Sequence, residues 1–253
     1  MIAPHALITG AGQRIGRAIA LDLARVGWKI SVHYRKSRKE ADALVAEINA
    51  AGQGRAVALA ANLEKETEVE TLVPRAVAAL GPLTALINNA SVFENDGIDT
   101  MTRGSWDRHV ETNLRAPLVL AQGFAKQLPP EAEGAIVNIL DQRVWRLTPK
   151  FFSYTLTKAA LWAATQTMAQ ALGPRIRVNG VGPGPTLRNP RQSEADFARQ
   201  TRATVLGKGA SAEDVAAAVR YLLGATAVTG QMIAVDGGQH LSWRTPDVEG
   251  VAE

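Results

Sequence analysis

The chain has 253 residues, of which 46% are hydrophobic and 21% are charged. This mixture is typical of a soluble globular protein that can bury a sizeable core, and it does not indicate disorder. The net charge of +4 comes from basic residues scattered along the sequence, which favours a small anionic ligand over nucleic acid. The absence of cysteine excludes disulfides, thiolate metal sites and cysteine nucleophiles.

The sequence contains no pattern typical of export or of a membrane anchor. The start, MIAPH, lacks the basic segment and apolar core of a signal peptide. No apolar run approaches the roughly 18 residues needed to span a bilayer. We therefore expect a cytoplasmic protein that binds a small molecule, holds no metal and engages neither membranes nor nucleic acid.

Short apolar runs typical of buried parallel strands alternate with stretches of helical periodicity. The predicted strands are residues 6–9, 29–34, 56–60, 85–88, 135–140, 177–181 and 232–235. The predicted helices are residues 15–26, 40–50, 66–80, 106–127, 154–172 and 212–223. This alternation predicts one α/β domain over residues 1–253, with a Rossmann-like, doubly wound, seven-stranded parallel sheet and helices on both faces. Ligands of such sheets bind at the carboxyl ends of the strands.

Residues 182–209 interrupt the alternation. The segment is long, polar and rich in Pro, Arg and Gly, with a weak helical patch around residues 194–203. We expect it to form a lid over the substrate, and a disordered surface insertion is the alternative.

A glycine-rich turn, TGAGQRIG, follows the first predicted strand and precedes a helix. This arrangement places a pyrophosphate at a helix N-terminus, where free N–H groups and the helix dipole favour an anion. Gly10 and Gly12 would let the backbone approach the phosphates, and Gly16 would let the helix pack closely on the strand. A tight turn that needs glycine but binds no nucleotide is the alternative.

The second predicted strand ends in His33, Tyr34, Arg35, Lys36 and Ser37. An NAD site usually places an acidic residue here, against the ribose 2′-hydroxyl. The motif contains no acid, and its cations and hydroxyl match a 2′-phosphate instead. The sequence therefore favours NADPH over NADH, with a solvated basic turn as the alternative.

Polar and small residues also follow the third and fourth predicted strands. Asn62 and Leu63 lie where an adenine contact is expected, although Asn62 could equally be a turn residue. Asn89, Ala90 and Ser91 lie where the cofactor ribose is expected.

Tyr154 and Lys158 lie one turn apart at the start of a predicted helix. Residues at i and i+4 share one helix face, and an ammonium beside a phenol favours the phenolate. We therefore expect Lys158 to lower the pKa of Tyr154 towards the range useful for proton transfer. An ordinary surface pair is the alternative.

In this order, and over almost the whole chain, the motifs resemble the short-chain dehydrogenase/reductase family, with Asn113 and residues 177–184 as further matches. The resemblance implies that Tyr154 donates a proton, that Lys158 holds the nicotinamide ribose and tunes Tyr154, and that Asn113 orders a proton-relay water. It also implies homodimers or homotetramers built on the helices of residues 106–127 and 154–172. Further cofactor contacts are implied for Ile15, Pro183, Gly184 and Thr186.

Two residues depart from the usual family pattern. Asp141 stands where a hydroxyl residue is expected thirteen positions before Tyr154, and Arg14 replaces the middle glycine of the turn. Both changes resemble the pteridine reductase branch, which includes dihydromonapterin reductases. In that branch the position of Phe93 covers one face of the pterin, and the position of Ser91 contacts cofactor or substrate.

The branch resemblance agrees with elementary chemistry. Reducing a C=N bond needs hydride at carbon and a proton at nitrogen, which Asp141 with Tyr154 could relay. Arg14 could contact a phosphate and the substrate, while Phe93 could stack on a flat ring. The alternatives are an Asp141 that bonds only to backbone, a Phe93 in the core and a solvent-exposed Arg14. The residues expected to line the pocket or face solvent are Leu187, Arg188, His240 and Trp243.

Three functions are consistent with the sequence. The first is an NADPH-dependent reductase of a dihydropteridine such as dihydromonapterin or dihydrofolate. The second is an NADPH-dependent carbonyl reductase acting on a ketone or a 3-oxoacyl group. The third is an NADP(H)-sensing protein without turnover, against which the intact Tyr154 and Lys158 argue.

Overall fold

The structure, a computed structural model, describes residues 3–189, 191–245 and 249. Parallel strands in these ranges form one seven-stranded sheet in the order β3-β2-β1-β4-β5-β6-β7. The strands are β1 (His5–Ile8), β2 (Lys29–Tyr34), β3 (Arg55–Ala60), β4 (Ala85–Asn88), β5 (Gly134–Ile139), β6 (Ile176–Pro183) and β7 (Met232–Val235). The order reverses between β1 and β4, which opens a crevice at the carboxyl ends of the strands. The predicted fold class is confirmed.

The helices fill the connections between the strands. They are α1 (Arg14–Arg25), α2 (Arg38–Ala51), α3 (Glu66–Leu80), α4 (Arg103–Val110), α5 (Ala116–Gln127), α6 (Phe152–Leu172), α7 (Glu194–Arg202) and α8 (Ala212–Gly224). The helix predicted at residues 106–127 is two helices, joined by a π-helical segment at Glu111–Arg115. No helix in the described ranges is both long and apolar enough to cross a bilayer.

Two hydrophobic cores cover the two faces of the sheet. Successive side chains of a strand point to opposite faces, so Ile8 packs with α1, α2 and α8 while Leu7 packs with α3 and α5. Both residues are fully buried. Burial on both faces explains why the strands read as continuous apolar runs.

The segment predicted as a lid is shorter and more structured than the sequence indicates. Strand β6 continues to Pro183, so residues 182 and 183 belong to the sheet. The weak helical patch is helix α7, which begins with Ser193 as its N-cap. Pro190 lies outside the described residues.

Candidate active site

Two adjoining cavities form a groove along the carboxyl ends of the strands. The larger cavity, of about 490 Å³, is lined by the turns after β1 and β2, and the smaller, of about 290 Å³, by those after β5 and β6. Arg14, Ile15, Asn89 and Ser91 line both. The groove therefore runs across the point where the strand order reverses, as expected for a ligand site in this type of sheet.

The glycine turn closes tightly onto the start of α1. A Cβ on Gly16 would lie 2.5 Å from the carbonyl oxygen of Gly10, so only glycine allows this packing. A Cβ on Gly12 would lie 3.1 Å from Ser37 Oγ, and Gly12 lines neither cavity. Gly12 therefore makes room for the start of α2, whereas the sequence predicts that it approaches the phosphates.

His33, on β2, holds the glycine turn in place through hydrogen bonds to backbone. Its Nδ1 accepts a hydrogen bond from the N–H of Gly10 at 3.0 Å, and its Nε2–H donates to the carbonyl of Ala61 at 3.1 Å. Burial lowers the pKa of His33 to about 4, so the imidazole is neutral at physiological pH. The side chain lines the larger cavity and also fixes the conformation of its wall.

The floor of the larger cavity joins β1 to β4. Asn89 Nδ2 donates to the carbonyl oxygens of Thr9 at 2.8 Å and of Gly10 at 3.2 Å. The neighbouring Ala90 lies against Gly10, whose φ is +62°. The predicted ribose motif therefore also locks the glycine turn in place.

The far end of the larger cavity is basic. Arg35, Lys36, Ser37 and Leu63 line it, as predicted. Arg35 forms an ion pair with Glu64, a partner that sequence reasoning missed. Asn62 is not part of the wall: its Oδ1 accepts the N–H of Glu64 at 3.2 Å, which makes it a turn residue, the alternative left open by the sequence.

Asn113 lies in the π-helical segment, a distortion that is frequent at functional sites. Its Nδ2 donates to the carbonyl of Val92 at 2.9 Å, and its Oδ1 accepts the N–H of Val92 at 2.8 Å. Ser91 Oγ also donates to this Oδ1 at 3.2 Å. Asn113 thus fixes the loop that carries Ser91 and Phe93, and its role in ordering a water stays a prediction.

The smaller cavity holds a phenol, a carboxylate and an ammonium. Tyr154 Oη donates to Asp141 Oδ2 at 2.8 Å, while Asp141 Oδ1 accepts the N–H of Arg143 at 2.9 Å. Lys158 Nζ donates to the carbonyl of Ile139 at 2.7 Å. Asp141 therefore bonds to Tyr154 as well as to backbone, so the alternative of an Asp141 that bonds only to backbone does not hold.

The predicted direction of the Tyr154 pKa shift is wrong for this arrangement. Burial and the Asp141 carboxylate raise the pKa of Tyr154 well above its usual range, and only Arg143 acts to lower it. The ammonium of Lys158 lies 5.7 Å from the Tyr154 ring centre, and burial lowers the pKa of Lys158 to about 8. The i, i+4 spacing correctly places the pair on one helix face but does not reveal the carboxylate opposite.

Aromatic rings form the wall beside Tyr154. Phe93 stacks on Phe151 with ring centres 4.2 Å apart, and its ring meets the edge of Tyr154 at 4.7 Å. The Arg143 guanidinium carbon lies 5.2 Å from the Phe93 ring centre. Phe151 therefore covers one face of Phe93, and a planar ligand cannot stack on that face. Arg143 lines the smaller cavity and is a site residue that the motifs did not reveal, whereas Phe151 packs behind Phe93 and lines neither cavity.

Arg14 connects the glycine turn to the segment after β6. Its guanidinium donates to the carbonyl oxygens of Leu187 at 2.9 Å and of Arg188 at 3.1 Å. Leu187 lines the smaller cavity, as do Pro183, Gly184 and Thr186, which agrees with their predicted places. Residues of α7 that also line this cavity, and that the sequence analysis missed, are Phe197 and Gln200.

His240 and Trp243 lie outside the smaller cavity. The Nδ1 of His240 is 2.7 Å from Asp236 Oδ2, and its ring packs against Trp145 with centres 5.1 Å apart. Trp243 is 63% exposed. Neither side chain lines the groove, whereas the neighbouring Gln239 does.

Comparisons with known proteins agree with this geometry. A family model described as "Enoyl-(Acyl carrier protein) reductase" matches residues 10–240. The structure of FolM alternative dihydrofolate reductase 1 from Brucella canis, complexed with NADP, is 46% identical, covers 97% of each chain and has a TM-score of 0.94. The chain belongs to the short-chain dehydrogenase/reductase family. The resemblance seen in the motifs is confirmed, and the chain is an oxidoreductase of this family.

The relatives in this family are named for two different activities. The 3-oxoacyl-[acyl-carrier-protein] reductase FabG of Staphylococcus aureus is 32% identical over 241 residues, which cover 93% of this chain and 98% of the relative. The Brucella suis FolM protein, also in complex with NADP, is 46% identical with a TM-score of 0.94 and covers 97% of this chain and 98% of its own. The family is therefore shown, and two substrate classes have to be distinguished for this reductase.

Proposed function

We propose that this reductase uses NADPH to reduce a ring C=N bond of a dihydropteridine, with Tyr154 giving the proton to nitrogen. The observation that carries the proposal is the 2.8 Å hydrogen bond from Tyr154 to Asp141 at the wall of the smaller cavity. A carboxylate at this position, in place of a hydroxyl, distinguishes this site from one built for a carbonyl oxygen. The 46% identity to the FolM proteins of Brucella supports the same substrate class.

The larger cavity fits NADPH. Gln13, the N-cap of α1, makes no side-chain cap hydrogen bond among the described residues, so the first N–H groups of α1 remain available to a pyrophosphate. Arg35, Lys36 and Ser37 at the far end match a 2′-phosphate. NADP in the Brucella structures supports this cofactor. When bound, NADPH supplies the hydride for carbon.

The chain's own residues handle the proton. The raised pKa of Tyr154 keeps its phenol protonated at physiological pH, so the proton is present when the substrate binds. Because the same shift makes the phenol a weaker acid, the proton moves to the substrate nitrogen as hydride transfer to the adjacent carbon makes that nitrogen basic. Loss of that proton leaves a negative phenolate beside the Asp141 carboxylate. The ammonium of Lys158, which lines the same cavity, stabilises this negative charge. A solvent proton must then return to the Tyr154–Asp141 pair before the next turnover.

The neighbouring residues provide the shape for a flat substrate. We infer that the face of Phe93 not covered by Phe151 stacks on the pterin ring. Leu187, on the segment after β6, and Arg14, at the start of α1, then close the cavity. Ser91, at the junction of the two cavities, is within reach of both cofactor and substrate.

A second candidate is the reduction of a 3-oxoacyl group. The 32% identity to FabG over nearly the whole length of both chains favours it. In this alternative, Asp141 is tolerated beside Tyr154 and the substrate carbonyl receives the proton.

A substrate comparison tests the proposal. Purified protein is assayed for NADPH oxidation with dihydromonapterin, with dihydrofolate and with a 3-oxoacyl thioester. We expect turnover of a dihydropteridine. Turnover of the thioester alone would refute the pterin assignment and leave the reductase assignment standing.

The substitution Asp141→Ser provides the matched variant. Under the pterin proposal, it lowers activity on dihydropteridines, because the carboxylate of the proton relay is lost. Under the carbonyl alternative, it raises activity on the 3-oxoacyl substrate. Tyr154→Phe is the control for catalysis, since unchanged cellular function in this variant would favour an NADP(H) sensor without turnover.

A homotetramer or homodimer and a cytoplasmic location stay predictions.

A further inference from the structure

A buried polar cluster lies directly behind Tyr154 and takes no part in the proposed chemistry. Asp96, His109 and Ser153 are 5%, 0% and 0% exposed. Asp96 comes from the loop after β4, His109 from the end of α4 and Ser153 from the first turn of α6. Polar side chains without access to solvent must form hydrogen bonds with one another, because an unpaired buried polar group would destabilise the fold.

The hydrogen bonds of the cluster fix where its protons lie. His109 Nε2 accepts the N–H of Glu94 at 3.1 Å, so the ring proton is on Nδ1. This Nδ1–H points at Ser153 Oγ, 2.7 Å away, and the Ser153 hydroxyl donates to Asp96 Oδ2. Ser105 Oγ donates to the same carboxylate oxygen at 3.2 Å. The result is a directed chain from a neutral imidazole through a hydroxyl to a carboxylate.

Asp96 also caps the helix that carries Tyr154. The first N–H groups of a helix have no partner within the helix. Phe151, the residue at the N-cap position of α6, makes no side-chain cap bond. Instead, the backbone oxygen of Asp96 accepts the N–H of Phe152 at 3.0 Å, and Asp96 Oδ1 accepts the N–H of Ser153 at 3.0 Å. A loop distant in sequence therefore holds the start of α6.

The cluster reaches the segments that carry the site residues. The ring of His109 meets that of Tyr154 at an interplanar angle of 68°, with centres 6.3 Å apart. Glu94, whose N–H bonds to His109, directly follows Phe93. The helix of His109 continues into the π-helical segment of Asn113. Through these links, the positions of Phe93, Asn113 and Tyr154 depend on one another.

We propose that Asp96, His109 and Ser153 are positioning residues that hold the Tyr154 ring in its hydrogen bond to Asp141. The inference rests on the proposed catalytic role of Tyr154. In this proposal the three residues contact neither substrate nor cofactor and act only through Tyr154. A displacement of the phenol by about 1 Å can lower turnover by roughly a hundredfold, so the expected effect is on kcat.

The test compares two variants. One loses the hydroxyl of Ser153, and the other loses a neighbouring hydroxyl outside the cluster. Ser153→Ala breaks the link between His109 and Asp96. The matched control is Thr155→Val, because the buried Oγ1 of Thr155 has no hydrogen-bond partner among the described residues. We expect Ser153→Ala to lower kcat by tenfold or more. The Kd for NADPH, measured by NADPH fluorescence, should stay within about twofold of the wild-type value. Thr155→Val should retain wild-type turnover and affinity.

A second measurement separates positioning from general destabilisation. Because the cluster acts through Tyr154, Ser153→Ala should have no further effect on the residual kcat of Tyr154→Phe. An equal fold-loss in both backgrounds would overturn the proposal, as would a loss of NADPH affinity that matches the loss of kcat. If Ser153→Ala does not fold, Asp96→Asn replaces it. The amide keeps the shape of the carboxylate, but only one of its two terminal atoms accepts, so it cannot serve both the N–H of Ser153 and the hydroxyls of Ser153 and Ser105.

The failures of the two proposals can be told apart. Wild-type turnover in Tyr154→Phe would refute the proposed role of Tyr154. A large loss in Tyr154→Phe together with wild-type kcat in Ser153→Ala or Asp96→Asn would refute the positioning role alone.

Discussion

The neutral imidazole of His33 makes the stability of the nucleotide-binding half depend on pH. In the unfolded chain, His33 takes up a proton near its ordinary pKa of 6.5, but in the folded protein burial lowers this pKa to about 4. Between these values the unfolded state binds the additional proton, so stability falls as the pH is lowered. Each pH unit in this interval contributes about 1.4 kcal/mol, which gives a loss of roughly 3 kcal/mol between pH 7 and pH 4.

The measurement compares the wild type with His33→Gln, whose amide does not titrate. Urea unfolding at a series of pH values gives the free energy of unfolding of each protein. His5 and His109, whose pKa values burial also lowers, contribute equally to both proteins and cancel in the difference. We expect the wild type to lose about 3 kcal/mol more than His33→Gln between pH 7 and pH 4. Equal losses would refute the assignment of a neutral, buried imidazole beneath Gly10.

Four further predictions concern the groove. Tyr154→Phe should lower kcat by roughly 10²–10⁴-fold in steady-state assays and leave the Kd for NADPH unchanged. Turnover should fall above pH about 8, where Lys158 loses its charge, and Lys158→Met should show low turnover without this fall. Arg35→Ala should weaken the binding of NADPH more than that of NADH in fluorescence titrations, because the 2′-phosphate loses a cation. Arg14→Met should raise the KM for the pterin and speed proteolysis of residues 184–209, because two hydrogen bonds to this segment are lost.

The sequence predicts best the features that depend on neighbouring residues. Apolar patterns specify the strands and helices to within about two residues at most ends. Strands buried on both faces are continuous apolar runs, whereas helices buried on one face have a helical period. The glycine turn and the basic end of β2 are local motifs and could be placed directly. The spacing of Tyr154 and Lys158 likewise gave their common helix face.

Features that depend on residues far apart in sequence could not be predicted in this way. The pKa of Tyr154 is set by burial and by Asp141 on another segment, so a rule based on Lys158 alone gave the wrong direction. The stacking of Phe151 on Phe93 and the ion pair of Arg35 with Glu64 join segments that meet only in the folded chain. The π-helical segment around Asn113 left no mark in the helical periodicity of residues 106–127.

Arg14 has a consequence for attempts to redesign this enzyme. It adopts a φ of +55°, a backbone conformation uncommon outside glycine, while its side chain holds the carbonyls of Leu187 and Arg188. One residue thus lines both the cavity proposed for the cofactor and the cavity proposed for the substrate. Libraries that vary residues 184–189 to change substrate preference will also disturb cofactor affinity, unless position 14 is varied along with them.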